Sequence, residues 1–349
     1  MSTTVVVGAG IVGASVAYHL ARRGVPVTLI DRAPSPASGV TGASFAWIGG
    51  SGGGWPGGAE DLRGSVLPDY RRLETELPAV AVRWTGSLVW TDAPKRRSTA
   101  GELGDGQQWV GRDEIRALEP NLLRPPEWAV YTPSDGGVDA VGMTCTLVNA
   151  ARDLGAHVLL GSAVDTLRIV DGQVDGVVSA GSFHPASTVV LAAGTASRSL
   201  SEPLGAILPV EASPAVLLRV AAPPGLVTTV VASPAFEVRE LRDGKLLLTA
   251  PHDDDLSPPA LDRLADRTLL RLQASFRGAA SARLIEWRLG HRPMPANGPL
   301  VGYLTPDRSV YLAVMHSAVT LGPTVGRLVA QEIATGRPVA ELQRCRPAG

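Results

Sequence analysis

Three glycines stand at GxGxxG spacing in Gly8-Ala9-Gly10-Ile11-Val12-Gly13, directly after the β-branched run that ends at Val7. That pattern suits phosphate binding. Gly8 permits a tight turn, Gly10 lets the backbone approach a pyrophosphate, and Gly13 lets the next helix pack close on the strand. Ile11 and Val12 open that helix, whose free amides and positive dipole end would face the phosphates. Asp31 lies 18 residues beyond Gly13, at the end of a second apolar run and just before Arg32. A carboxylate there can accept both hydroxyls of a ribose and disfavours a 2′-phosphate, so the expected ligand is FAD or NAD rather than NADP. A tight βα turn without a ligand is the other reading of the glycines. Strand, helix, second strand and acid in register favour the dinucleotide. Ser38, Thr41 and Ser44 add hydroxyls immediately afterwards, where a longer cofactor needs further contacts. They favour FAD, although ordinary turn chemistry uses the same residues.

Positioning these groups requires a βαβ unit: strand 4–7, a helix with Val16, Ala17, Leu20 and Ala21 on one face, and strand 27–30. Residues 33–58, rich in Gly, Ser and Pro, are expected to loop around a ligand. Residues 60–78 and 142–154 carry helical patterns, whereas 80–135 reads as short strands and turns. Segments 158–160 and 163–164 read as strands returning to the first unit. Segments 164–170 and 173–178 read as a hairpin turning at Asp171-Gly172. A buried strand at 188–193 runs into Gly194. Residues 210–287 alternate again, with a hairpin turn at Asp243-Gly244 and a helix near 258–277. Strand 310–314 and a helix from about 323 to 335 end the chain. The expected fold is α/β. A discontinuous nucleotide domain takes 1–79, 136–210 and 288–349; an α+β substrate domain, 80–135 and 211–287, is inserted twice.

Composition narrows the partners. The 349 residues, 45% hydrophobic and 19% charged, can build a sizeable core, so global disorder is excluded. Lys+Arg of 32 against Asp+Glu of 33 leaves no bulk attraction to nucleic acid or anionic membrane. Cys145 and Cys345 cannot form a disulfide framework or a four-cysteine metal site, and no metal is expected. No apolar stretch is long enough to span a membrane. The N-terminus lacks a basic region before its apolar run, so it reads as the first strand and helix, and the protein as cytoplasmic.

With the N-terminal unit, three further features carry a resemblance: Thr188-Val189-Val190-Leu191-Ala192-Ala193-Gly194, the segment Gly290-His291-Arg292-Pro293, and the C-terminal helix. The chain resembles the D-amino-acid oxidase superfamily of FAD-dependent oxidoreductases, in particular bacterial glycine oxidase, sarcosine oxidase and D-amino-acid dehydrogenase-like flavoenzymes. The likeness covers most of the chain and is weakest at about 212–280. It implies a FAD domain of the glutathione-reductase (Rossmann) type, an inserted substrate domain whose mixed sheet covers the flavin, and oxidation of a C–N bond to an imine. It implies a second FAD-contacting turn at Ala193 and Gly194, and an adenine contact from the Val164 backbone. Met315-His316-Ser317-Ala318-Val319-Thr320-Leu321 matches the loop that wraps the flavin ring. The family commonly reads Gly-His-Gly there, and this chain departs at Met315, Ser317 and Ala318.

The resemblance also makes Arg292 the residue that grips a substrate carboxylate with a bidentate fork, against the alternative of a surface arginine. His316 would tune the flavin or be satisfied structurally, and His291 reads as structural. With no cysteine at 287–297 and no histidine in the early loop, FAD should be noncovalent. Lys245, beside a hairpin turn, reads as solvated; oxygen or another acceptor then stays open. Residues 49–58 are a lid carrying Trp55 or a floppy surface loop. Trp47, Trp55, Trp90 and Trp287 line an apolar pocket or belong to the core.

The expected function is a FAD-dependent amine or amino-acid oxidase or dehydrogenase. The unprotonated amine presents its Cα–H for hydride transfer to flavin N5, with little protein acid–base chemistry. One alternative is a 2-hydroxy-acid or polyol dehydrogenase with His316 as base. Another is a noncatalytic flavin-binding subunit of a hetero-oligomer. Substrate identity and oligomeric state stay open.

Overall fold

Short β-branched runs bounded by glycine turns build the sheet that carries the GxGxxG loop. A computed structural model describes residues 3–51, 54–91 and 103–347; Gly52 and Gly53 of the glycine-rich segment, and Lys95, lie outside the described residues. This sheet has six strands in the order Leu300–Tyr303, Val310–Val314, Thr188–Leu191, Thr4–Val7, Val27–Asp31, His157–Leu160. All neighbours are parallel except the first pair. Every residue of Thr4–Val7 and of Thr188–Leu191 is buried, as covering on both faces requires.

The helices are α1 (Ile11–Arg22), α2 (Ala59–Glu76), α3 (Arg112–Leu118), α4 (Ala140–Asp153), α5 (Ser197–Ser201), α6 (Pro258–Ser275) and α7 (Ala318–Thr335). Helices α1, α2, α4 and α7 share one apolar core with Val6, Leu29, Val190 and Tyr311. The alternate residues Val5, Val7, Val189 and Leu191 point to the other face. There they meet Leu167, Val174 and Val177 of a three-stranded sheet made by Val164–Val170, Gln173–Ser179 and Ser182–Pro185. The period-two alternation of the strands thus separates two cores.

An eight-stranded mixed sheet stands beside this unit, in the order Arg283–Pro295, Val210–Ala221, Leu246–Thr249, Glu237–Glu240, Val230–Ala232, Ser87–Val89, Trp128–Thr132, Gln108–Gly111. Leu261, Leu264 and Leu272 of α6 cover its apolar face. The strand Arg283–Pro295 runs without a break through residue 288, where a domain boundary was expected. The loop at 33–58 is fastened to this half. Buried Arg239 donates from Nε to the Phe45 carbonyl at 2.6 Å and from Nη2 to the Val138 carbonyl at 2.7 Å.

Three elements differ from expectation. Segment 163–164 does not return to the first sheet: only His157–Leu160 does, and Gly161 at φ +71° then turns the chain into the three-stranded sheet. The region 80–135 contains helix α3, started by Glu114, whose Oε2 accepts the Gly111 amide at 2.8 Å. Helix α7 begins at Ala318, not near Pro323, which sits inside it. Proline lacks the amide that would bond the carbonyl four residues back. That carbonyl, on Val319, instead accepts the buried Tyr70 hydroxyl at 2.5 Å. Among the described residues, no helix is long and apolar enough to cross a membrane.

Candidate active site

The carboxyl ends of Thr4–Val7, Val27–Asp31, Thr188–Leu191 and Val310–Val314 stand side by side, where open parallel sheets bind ligands. A cavity of about 470 Å³ opens there, bordered by Gly8, Gly10, Val12, Asp31, Arg32, Ser38, Val164, Ala193 and Gly194. A second, of about 660 Å³, lies toward the eight-stranded sheet; Ser44, Arg292, His316, Ser317, Val319 and Thr320 border it. Ile11, Thr41 and Met315 line both, so the two cavities meet at the start of α1.

The first cavity has the chemistry of an anion site. Helix α1 has Gly10 as its N-cap, no side-chain cap and no acid in its first turn. The positive end of its dipole is therefore not neutralised from within the helix. Gly8 holds φ +108°, and a Cβ there would fall 2.5 Å from the Ala192 carbonyl oxygen. Thr41 Oγ1 accepts the Ile11 amide at 3.1 Å and would lie 3.2 Å from a Cβ placed on Gly10. A side chain at Gly8 would collide with the main chain of Ala192, and one at Gly10 would crowd Thr41. Asp31 accepts the amide of Ala9 on Oδ2 at 2.6 Å and that of Ala33 on Oδ1 at 2.7 Å. Each oxygen keeps a lone pair for a ribose hydroxyl.

Gly13 and Leu321 border neither cavity. A Cβ on Gly13 would stand 1.9 Å from the Gly8 carbonyl oxygen, so its part is the close packing of α1 on the strand. Leu321 was expected at the flavin loop. Because α7 already begins at Ala318, its side chain falls on the inner face of that helix, 1% exposed, in the core. Ser38 donates to the Ser35 carbonyl at 2.7 Å, and Ser44 Oγ accepts the Ala46 amide at 3.1 Å. Both bonds are turn chemistry at the rim.

In the second cavity, Arg292 stands opposite Ser213 in the paired strands. Its Nη2 donates to Ser213 Oγ at 2.8 Å and to the Pro214 carbonyl at 3.2 Å, while its buried Nε has no partner. His291, one residue earlier, is exposed and borders neither cavity. His316 opens onto the cavity. The protein packed around it, and secondarily the Arg292 guanidinium, depress its pKa below the ordinary histidine value. Ser317 takes the left-handed conformation, φ +56° and ψ +33°, that glycine adopts without strain.

Of the four tryptophans considered, Trp47 lines the second cavity, and Trp55, Trp90 and Trp287 do not. They pack against the two main cores instead. Trp47 donates to Asp135 Oδ2 at 2.9 Å, and Ser87 Oγ to the same oxygen at 2.8 Å. Burial pushes the Asp135 carboxyl up to about 6 against the pull of those two bonds, and its Oδ1 has no partner. Lys245 pairs with Asp243 at the hairpin turn and borders neither cavity.

Sequence reasoning missed Asp165 and Ser199 at the first cavity, and Phe45, Phe236, Glu237 and His252 at the second. Glu237 shows only as one acid of the short strand Glu237–Glu240, and no local spacing marks it. Among the described residues, no group of three or more His, Cys, Asp or Glu could hold a metal ion.

The family model described as DAO, FAD dependent oxidoreductase, matches residues 3–332. The chain belongs to this family. Its cofactor is FAD, and its α/β fold joins a FAD-binding Rossmann unit to a mixed-sheet substrate unit. Family relatives align over nearly the whole chain. The uncharacterized oxidoreductase YurR of Bacillus subtilis (strain 168) is 28% identical over 100% of this chain and 99% of its own. The glycine oxidase of Geobacillus kaustophilus (strain HTA426) is 27% identical over 93% and 91%. The solved structure of an L-amino acid deaminase from Proteus myxofaciens, 19% identical, superposes with a TM-score of 0.85, covering 99% of this chain and 92% of that one. The family's cofactor fits the residues present: a helix N-terminus with no acid in its first turn, a glycine at position 8 that no side chain could replace, and a carboxylate at the strand end.

Proposed function

We propose that this enzyme oxidises the C–N bond of a carboxylate-bearing amine, an amino acid or secondary amine, to an imine. The observation that carries this reading is Arg292: a half-buried guanidinium with no ion pair among the described residues, bordering the cavity that meets the cofactor cradle. A guanidinium without an anion beside a largely apolar cavity is costly unless a ligand supplies one, and a carboxylate is a matching anion. Ser213 and the Pro214 carbonyl hold the other side of the guanidinium and fix its direction. Gly8, Gly10, Thr41 and Asp31 would hold the phosphate and ribose end of FAD, with Val164, Ala193 and Gly194 beside them. The segment 315–320 would wall the ring end. Bound FAD supplies the hydride acceptor at N5 and passes electrons to oxygen or another acceptor.

His316 supports a second reading. Its depressed pKa keeps the imidazole neutral near pH 7, able to take a hydroxyl proton from a 2-hydroxy acid. Anaerobic mixing with a panel of amino acids, N-methyl amino acids, plain amines and 2-hydroxy acids separates the two. Flavin bleaching by carboxylate-bearing amines is the expected result. Bleaching by hydroxy acids alone selects the second reading, and bleaching by plain amines in preference to amino acids overturns the first.

A further inference from the structure

Glu237 borders the same cavity as Arg292 and makes no ion pair with it. Its ladder neighbours, Ala232 and Thr249, carry no charge. The other polar side chains that border this cavity include Ser233, His252 and His316, none of them a permanent cation. Burial raises the carboxyl's pKa, and Arg292 is the one charged group that opposes the rise. A half-buried acid thus borders the same cavity as a guanidinium with which it makes no ion pair, and Phe236, Pro214 and Leu217 border it too. Such an acid is a liability in the fold unless something positive comes to it.

A carboxylate seated on Arg292 would make matters worse, because it cancels the charge that favours ionised Glu237. A ligand carrying both charges removes the conflict. We propose that Glu237 accepts the N–H groups of the substrate's ammonium, so that the cavity selects zwitterionic amino acids and disfavours both simple carboxylates and amines bearing a second carboxylate. This rests on the reading of Arg292 as the carboxylate site. Passing one ammonium proton to a Glu237 oxygen breaks an N–H bond, leaves the electron pair on nitrogen and forms an O–H bond. The net charge of the cavity is unchanged, and the amine is left neutral, as the proposed oxidation needs.

The test reads affinity in two ways: perturbation of the oxidised flavin spectrum for a ligand that cannot be oxidised, such as propionate, and the concentration dependence of bleaching for a ligand that reduces the flavin. The FAD-loaded protein and its Glu237→Gln variant are titrated anaerobically with propionate, glycine, D-alanine, L-alanine and iminodiacetate, following the flavin spectrum from acid to neutral pH. Wild type should bind propionate more weakly as pH rises, because binding is coupled to protonation of Glu237. Glu237→Gln should lose that slope and bind propionate and iminodiacetate more tightly at neutral pH. Its preference for the alanines or glycine over propionate should fall about tenfold or more. Glu237→Asp, with the charge kept and the reach shortened, should retain the slope and part of the preference, which guards against a simple folding defect. Equal slopes and equal preferences in wild type and Glu237→Gln overturn the proposal. If propionate and every amino acid leave the wild-type flavin spectrum unchanged at all pH values, it is the carboxylate reading of Arg292 that fails.

Discussion

Around the GxGxxG turn, the ligand wall includes stretches with little or no side chain: glycines at 8 and 10 at the start of α1, and the turn at Ala193 and Gly194. Around Arg292 it is drawn from distant segments: residues 214–217, 233–237, 249–252 and 292–293 of the second half, the stretch 40–47, and 315–320 at the start of α7. A backbone wall depends on conformation, which a few glycines specify within a short stretch of sequence. A side-chain wall depends on which residues six separate segments happen to present. The first can stay constant while the second is rewritten, which is how one cofactor unit serves many substrates.

Breaking the backbone wall should have the largest effect. Gly13→Ala would put a Cβ 1.9 Å from the Gly8 carbonyl oxygen, where only main chain can yield. The expected loss is about 3 kcal/mol or more, read as a lowered Tm together with loss of flavin absorbance. A flavin-replete Gly13→Ala of unchanged Tm would show that the close α1–strand contact is dispensable.

Next comes Asp135, behind the side-chain wall. Its folded-state carboxyl titrates near 6 against an ordinary value of 3.8, so the folded protein holds that proton more tightly than the unfolded chain. Its contribution is therefore most favourable at low pH and is lost as pH rises through about 6, by up to about 3 kcal/mol at 1.36 kcal/mol per pKa unit. Asp135→Asn should remove this slope and be at least as stable as wild type at neutral pH. Denaturant titrations at several pH values check it; a wild-type contribution that grows with pH would reverse the sign.

Two substitutions should separate the cavities cleanly. Arg292→Ala should weaken carboxylate binding roughly 10- to 150-fold, the equivalent of about 1.5–3 kcal/mol, while flavin content holds. Arg292→Lys should recover only part, since an ammonium keeps the charge and loses the fork. Asp31→Ala should do the opposite, loosening FAD on dialysis without altering ligand preference in the protein that keeps it. If either variant moves both readouts together, the cavities are not independent. Denaturation should release intact FAD, because no cysteine borders either cavity among the described residues. The smallest effect belongs to Ser317→Gly, which relieves a left-handed serine and should add no more than about 1 kcal/mol of stability.

The same contrast explains what the sequence discloses. The glycine turn, Asp31, and the paired strands of the first sheet are legible because local spacing determines them. Arg292 and His316 are recognised by resemblance and do border one cavity. Glu237 and Asp135 are invisible in the sequence, since their meaning comes from burial beside Arg292 and Trp47, set by strand pairing over long separations. The start of α7 is misplaced for a related reason. A proline ordinarily argues for a helix end, and the bond that takes the place of its missing amide comes from Tyr70, distant in sequence.

That tyrosine bond also bears on how the enzyme fluctuates. Helix ends commonly fray one turn at a time, because each terminal bond opens alone. The carbonyl of Val319 is tied instead to the middle of α2, from a side chain with no exposed surface. The turn that walls the cavity therefore cannot loosen without also disturbing the packing of α2. Local opening there becomes a cooperative, sub-global event, and the amide protons of Leu321 and Gly322, the first of α7 with helical acceptors, should exchange with solvent as slowly as those of the helix that anchors them.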